Sequence, residues 1–157
     1  MKREIKFRGK IKTANFEQKL ALLNKPQSDG EWAYGDTHLQ SKTPHIHVDS
    51  YCYPIDIDTI GQFTGLKDKN GKEIYEGDIV EWLFFYTIHS SNGADGDREE
   101  LLKGVIEWRQ GGFVFRVLEN DFENAGWYSI SDLHTETQTD VEVIGNIHDN
   151  PELLTEK

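Results

Sequence analysis

Histidine and carboxylate side chains come closest to a reactive arrangement at His45-Ile46-His47-Val48-Asp49. On a strand the first, third and fifth residues share a side, so the three polar groups would face one way. Asp49 would then stand about 13 Å from His45 at a rise near 3.3 Å per residue, too far for both to reach one ion. Two histidines bind zinc only with outside help, here from His38 or Asp36. An exposed strand face is the plainer reading.

Other chemistries fail on spacing. The acids Asp95, Asp97 and Glu99 suggest calcium, yet an EF-hand loop counted from Asp95 has Glu100 where glycine belongs and Ile106 where the bidentate glutamate belongs. GLKDKNGKE has the glycines of a phosphate loop at the wrong interval: five residues separate Gly65 from Gly71 instead of four, and Glu73 follows Lys72 where Ser or Thr is required. No G-x-S-x-G is present, and Ser28, Ser41, Ser50, Ser90, Ser91, Ser129 and Ser131 have no distinctive surroundings. Cys52 lies between Tyr51 and Tyr53 in an apolar run, the setting of an inert buried thiol with no base or cation beside it. His134 and His148 are isolated. The residues therefore predict no enzyme, no catalytic group, no metal site and no cofactor.

Charge says more than the motifs. The chain has 157 residues, 17 Lys+Arg against 28 Asp+Glu, and a net charge of -11. Residues 1–25 carry eight basic and two acidic side chains, a net of +6, which leaves -17 for residues 26–157. Such asymmetry suggests a basic arm on an acidic body. No apolar run reaches the ~18–20 residues of a membrane span, and MKREIKFRGK does not lead into a signal-peptide core. One cysteine excludes an internal disulfide and points to a reducing cytoplasm. The aromatics, 4 Trp, 6 Tyr and 8 Phe, can bury on the order of 3,000 Å² at roughly 150–250 Å² each, enough for a core.

The elements follow from periodicity. Ile5, Phe7, Gly9 and Ile11 alternate with Lys6, Arg8 and Lys10, predicting a strand over 3–12 with one apolar and one basic face. Phe16, Leu20 and Leu23 are at helical spacing in a helix over about 15–23, started by Thr13 or Asn15 and too short to stand without packing on something. GEWAYGDTHLQ, HIHVDSYCYPIDI up to Pro54, and TIGQFTGL read as strands, with SKTP as a loop. Asn70-Gly71 and Gln110-Gly111-Gly112 mark hairpins. In IVEWLFFYTI (79–88) Trp82, Phe84 and Tyr86 face one way and Leu83 and Phe85 the other, so both faces need cover. HSSNGADGDREE (89–100) reads as a polar loop. ENDFENAGWYSI adds a loop and a short strand, VEVIGNI (141–147) the last strand, and Pro151 to Leu154 a closing helical turn. Many short strands and almost no helix predict a mainly β fold, a small antiparallel barrel or roll.

IGQFTGLKDKNGKEIYEGDIVEW (60–82) resembles the central motif of the YopX family, small proteins of bacteriophages and prophages. REIKFRGK (3–10), GEWAYGD (30–36) and EVIGNIHDNPELL (142–154) are similar to other parts of that family. NFEQKLALLNKPQSD (15–29) is longer than the spacing expected there and reads as a local insertion. The resemblance implies an SH3-like β-barrel at 60–157 behind an N-terminal extension at 1–59. It implies no reaction and no ligand, and the positions it brings forward (Gly65, Asn70, Gly71, Tyr75, Gly77, Asp78, Gly145, Asn146) are turn and bulge types.

The expected function is a non-enzymatic phage or prophage accessory protein that binds itself and an unidentified host or phage protein. The candidate binding residues are Trp82, Phe84 and Tyr86 on the double-sided strand, and Lys6, Arg8 and Lys10 on the basic one. Nucleic acid is the alternative partner, through that basic strand; a further alternative is that the acidic body imitates nucleic acid toward a host enzyme.

Overall fold

The computed structural model describes residues 4–38, 43–118, 126–134 and 140–155. Of the predicted features, Lys2 and Arg3, Leu39 and Gln40 of GEWAYGDTHLQ, Ser41 and Lys42 of the SKTP loop, and the 119–125 part of ENDFENAGWYSI lie outside them. The chain divides into two units, Met1–Gly65 and Leu66–Lys157.

The first unit contains β1 (Phe7–Lys10), α1 (Phe16–Leu22), β2 (Trp32–His38), β3 (His45–Val48), β4 (Tyr51–Pro54) and β5 (Gly61–Lys67), which continues into the second unit. The strands lie in the antiparallel order β4-β3-β2-β1-β5. Gly9 and Ile11 turn inward as the alternation requires, and Ile11, Leu22, Ala33, Ile46, Tyr53 and Ile55 form the core. HIHVDSYCYPIDI is a hairpin, not one strand: Asp49 takes φ 50 between β3 and β4, a conformation asparagine and aspartate tolerate better than most residues.

The helix matches its predicted span, and Asn15 is the cap, its Oδ1 accepting the Gln18 N–H at 2.9 Å. Asn15→Ala is expected to cost about 1 kcal/mol, measurable as a lower urea midpoint. Its orientation differs from expectation. Leu22 is buried, while Phe16, Leu20 and Leu23 are exposed. At 100° per residue these three form one stripe on the side away from Leu22.

The second unit contains β6 (Glu73–Tyr75), β7 (Asp78–Ile88), β8 (Gly96–Arg109), β9 (Gly112–Val117), β10 (Trp127–Ser129) and β11 (Val141–Asn146). The end of β5 turns back into β6 through Asn70-Gly71, with Gly71 at φ 80. Gln110 (φ 50) and Gly111 (φ 87) make the β8–β9 turn, two successive positive-φ residues as tight hairpins require. The large sheet runs β10-β9-β8-β7-β11, antiparallel throughout. This order has two ends, so among the described residues the sheet is open, not a closed barrel. Its core gathers Ile74, Val80, Trp82, Leu102, Ile106, Phe113, Phe115 and Val117, with Leu133, Val141 and Val143.

Candidate protein-binding surface

β7 and β8 pair over their whole facing length, from Ile79↔Val105 to Ile88↔Gly96. The polar segment 89–100 is thus a loop only to Asp95; Ser90 to Gly93 forms the turn, and Gly96 to Glu100 belong to the strand. Among the described residues, flanking strands cover the root of this hairpin. β11 reaches Trp82, with one further bond from Leu83 N–H to the Asp140 carbonyl at 3.1 Å. β9 reaches Gly104, with Leu118 N–H on the Lys103 carbonyl at 2.9 Å. Beyond them, residues 84–88 and 96–100 form a ribbon with no third strand among the described residues. At ~3.4 Å per residue it projects about 17 Å.

The two faces of the ribbon differ. Trp82, Phe84 and Tyr86 share one, as the alternation predicts. Trp82 is buried at its root, edge-on to Phe84 (4.9 Å between centroids), Tyr128 (5.4 Å) and Phe115 (5.8 Å). Phe84 stacks on Tyr86 at 5.8 Å, and both are half-buried. Trp82 is therefore a core residue, and only Phe84 and Tyr86 reach the surface there. On the other face, register sets Leu83 opposite Leu101 and Phe85 opposite Glu99. Leu101 is 60% and Phe85 44% exposed. The sequence shows that face of β7 but not that Leu101 lies opposite Leu83, because the register between β7 and β8 is set by the hairpin between them.

The basic strand is more covered than its alternation suggests. Arg8 lies opposite Tyr34 and Lys10 opposite Trp32. The Arg8 guanidinium sits 4.8 Å and the Lys10 ammonium 5.6 Å from the Trp32 ring centroid. Arg8 is buried; Lys6 and Lys10 are half-buried. These three cations belong to the first unit and the aromatic ribbon to the second. Outside β1, Lys12 is held by Asp56 at 2.8 Å, and that hydrogen bond and charge raise its pKa above the ordinary 10.5.

The histidine segment does not converge. His45 Nδ1 lies 2.6 Å from the Thr43 carbonyl, and Asp49 leaves the strand at the turn. Among the described residues no three His, Cys, Asp or Glu side chains are placed to hold a metal ion. Cys52 is half-exposed, not buried, and does have a base and a cation near it: its Sγ is 3.7 Å from His47 Nε2, its neighbour across β3, and Lys25 Nζ donates to its carbonyl at 2.6 Å. No described helix is long and apolar enough to cross a membrane.

A family model described as YopX protein matches residues 6–155, nearly the whole chain. The chain belongs to the YopX family. The crystal structure of protein EF1440 from Enterococcus faecalis is similar to this YopX chain at 24% identity, covering 98% of this chain and 99% of that one, with a TM-score of 0.43. No curated protein matches it. In this YopX chain the 60–82 stretch is occupied with turns. Gly65, Gly71 and Gly77 take φ of 90, 80 and 86. Asp78 Oδ2 accepts the Tyr75 N–H at 2.7 Å, and Asn146 Oδ1 accepts the N–H groups of His148 and Asp149 at 3.0 Å after β11.

Proposed function

We propose that this YopX-family chain is a non-enzymatic phage or prophage accessory protein of the bacterial cytoplasm, whose second unit is an SH3-like roll and which acts by binding protein, itself included. One observation carries the reading: among the described residues the β7–β8 ribbon extends past its flanking strands, with Phe85, Leu101 and Ile88 exposed. A ribbon with no third strand among the described residues presents a strand edge together with apolar side chains, the combination that invites another chain. Covering each large side chain contributes on the order of 1.5–3 kcal/mol. Phe84 and Tyr86 supply aromatic surface on the opposite face, with Trp82 as the buried support beneath them.

Light scattering on an eluting size-exclusion peak tests it. Wild-type chain at micromolar concentration is expected to have the mass of a dimer or larger, and Phe85→Ser with Leu101→Ser to move it to monomer with an unchanged far-ultraviolet spectrum. A wild-type chain that stays monomeric at high micromolar concentration would falsify self-association. A DNA or RNA shift that is lost on Lys6→Ala with Lys10→Ala, and weakens steeply with salt, would favour the nucleic-acid reading instead.

A further inference from the structure

We propose that Cys52, with His47 as its base, is a thiol-modification site that exchanges with low-molecular-weight disulfides and carries a small thiol as a mixed disulfide. The site lies in the first unit and the ribbon in the second, so it does not depend on self-association.

The β3–β4 hairpin builds it. Asp49, at φ 50, and Ser50 make the turn, so Val48 pairs with Tyr51 and the next pair is His47 with Cys52. On the other side of β3, His47 pairs with Asp36 of β2. Directly opposed residues of paired strands share a face, so register sets a carboxylate, an imidazole and a thiol in one row across three strands. Cys52 Sγ is 3.7 Å from His47 Nε2, within reach of a hydrogen bond to sulfur. Both meet solvent, His47 being exposed and Cys52 half-exposed. Lys25 Nζ, donating to the Cys52 carbonyl at 2.6 Å, adds a positive charge beside the row. A partly exposed thiol near a base and a cation is the setting of a reactive cysteine, whereas a structural thiol is enclosed by apolar groups. Nucleophile, base and carboxylate also follow in the order that activates nucleophiles generally.

The exchange balances with one co-reactant, a disulfide R–S–S–R. His47 Nε2 takes the thiol proton, and the Cys52 sulfur attacks one sulfur of the reagent. The reagent's S–S bond breaks as Cys52–S–S–R forms. The departing RS⁻ takes the proton from His47 and leaves as RSH. The Cys52 sulfur is oxidised and the leaving sulfur reduced. Asp36 adds a negative charge one strand beyond the imidazole, the sign that favours the imidazolium present midway. Two side chains suffice for this step, whereas a metal ion would need more ligands than any group of described residues brings together. Cys52 is the chain's one cysteine, so no second thiol converts the product into an internal disulfide. The adduct persists until an external thiol exchanges with it.

The test uses the full chain, oxidised glutathione as the probe and intact mass as the readout. Wild type is expected to gain a single glutathione at Cys52, removed by dithiothreitol. At about pH 7 it should react at least about tenfold faster than the same chain unfolded in urea, and His47→Asn should lose most of that advantage while keeping the far-ultraviolet spectrum of wild type. At about pH 9, where thiols ionise unaided, the two folded proteins should converge, which lost packing or altered access would not produce. Lys25, His45 and Asp36, the other charged or titratable groups around the row, are the same in both proteins. A folded wild type no faster than the unfolded chain at the lower pH overturns the proposal, and so does a His47→Asn variant as fast as wild type there. A difference equally large at the higher pH overturns it as well, because His47 would then govern access and not the proton.

Discussion

Asp68→Ala is expected to cost about 3–5 kcal/mol of stability, far beyond an ordinary surface change. Asp68 is a buried carboxylate at the mouth of the β5–β6 turn. Its Oδ1 accepts the N–H groups of Asn70 (2.8 Å) and Lys72 (2.9 Å), and its Oδ2 accepts the Val143 N–H at 3.0 Å. One side chain therefore shapes a local turn and grips β11, 75 residues further along the chain. Alanine removes the acceptor for all three donors; water reaches the two in the turn more easily than the one at Val143. An asparagine side chain at this position would keep one acceptor oxygen and set an NH₂ group against a donor, so Asp68→Asn should lie between wild type and alanine.

The same site fixes a pH dependence. Burial opposes the charge on Asp68, but the backbone donors from Val143, Lys72 and Asn70, with the charge of Lys72, outweigh it and hold the carboxyl below its ordinary 3.8. A carboxyl more acidic in the folded than in the unfolded chain stabilises fully above the unfolded pKa, and that stabilisation is lost as pH falls through the folded one. Urea midpoints of wild type and Asp68→Asn should differ by a constant amount from about pH 5 to 8 and converge below about pH 4. A gap that widens on acidification would contradict the assignment.

Local signals in the sequence were legible where a residue's own chemistry decides the outcome. Gly71 and Gly111 turn their hairpins because glycine, with no Cβ, takes the positive φ those turns need. Asn15 became a cap because its side chain reaches the third residue of the helix. What depends on distant partners was hidden. Arg8 belongs to a basic alternation, yet Trp32 and Tyr34 on the neighbouring strand cover it. Residues 96–100 are polar enough for a loop and become strand only through pairing with Phe84 to Ile88. The apolar spacing of α1 identifies a helix but not which side is buried, and Leu22 holds the position that periodicity would give to Phe16 or Leu20. The candidate surface was therefore half visible: β7 from its own sequence, its partner Leu101 only from the pairing of β8.

Gly104→Ala is expected to destabilise the second unit by about 3 kcal/mol, and Gly112→Ala by almost nothing. Gly104 lies on β8 between Val80 of β7 and Val117 of β9. A Cβ there would stand 2.4 Å from Phe115 Cε2 and 2.5 Å from the Arg116 carbonyl oxygen. The oxygen is backbone of a paired strand, and the Phe115 ring is fully buried against Trp82 at 90°. Neither can retreat without displacing the other, in a core packed as densely as a crystal. The entropy advantage of alanine over glycine, roughly 0.5–1 kcal/mol, does not offset this. Gly35→Ala meets the same kind of obstacle in the first unit, where its Cβ would run into the His47 carbonyl of the paired strand β3, and is expected to be destabilising there too. Gly112 has nothing within 4 Å of its would-be Cβ and no positive φ, so it controls for chain entropy alone. Urea unfolding followed by tryptophan fluorescence should lower the Gly104→Ala midpoint at constant slope and shift its native emission, because Trp82 shares the displaced ring. A Gly104→Ala midpoint equal to that of Gly112→Ala would mean that β8 and β9 are not packed as described.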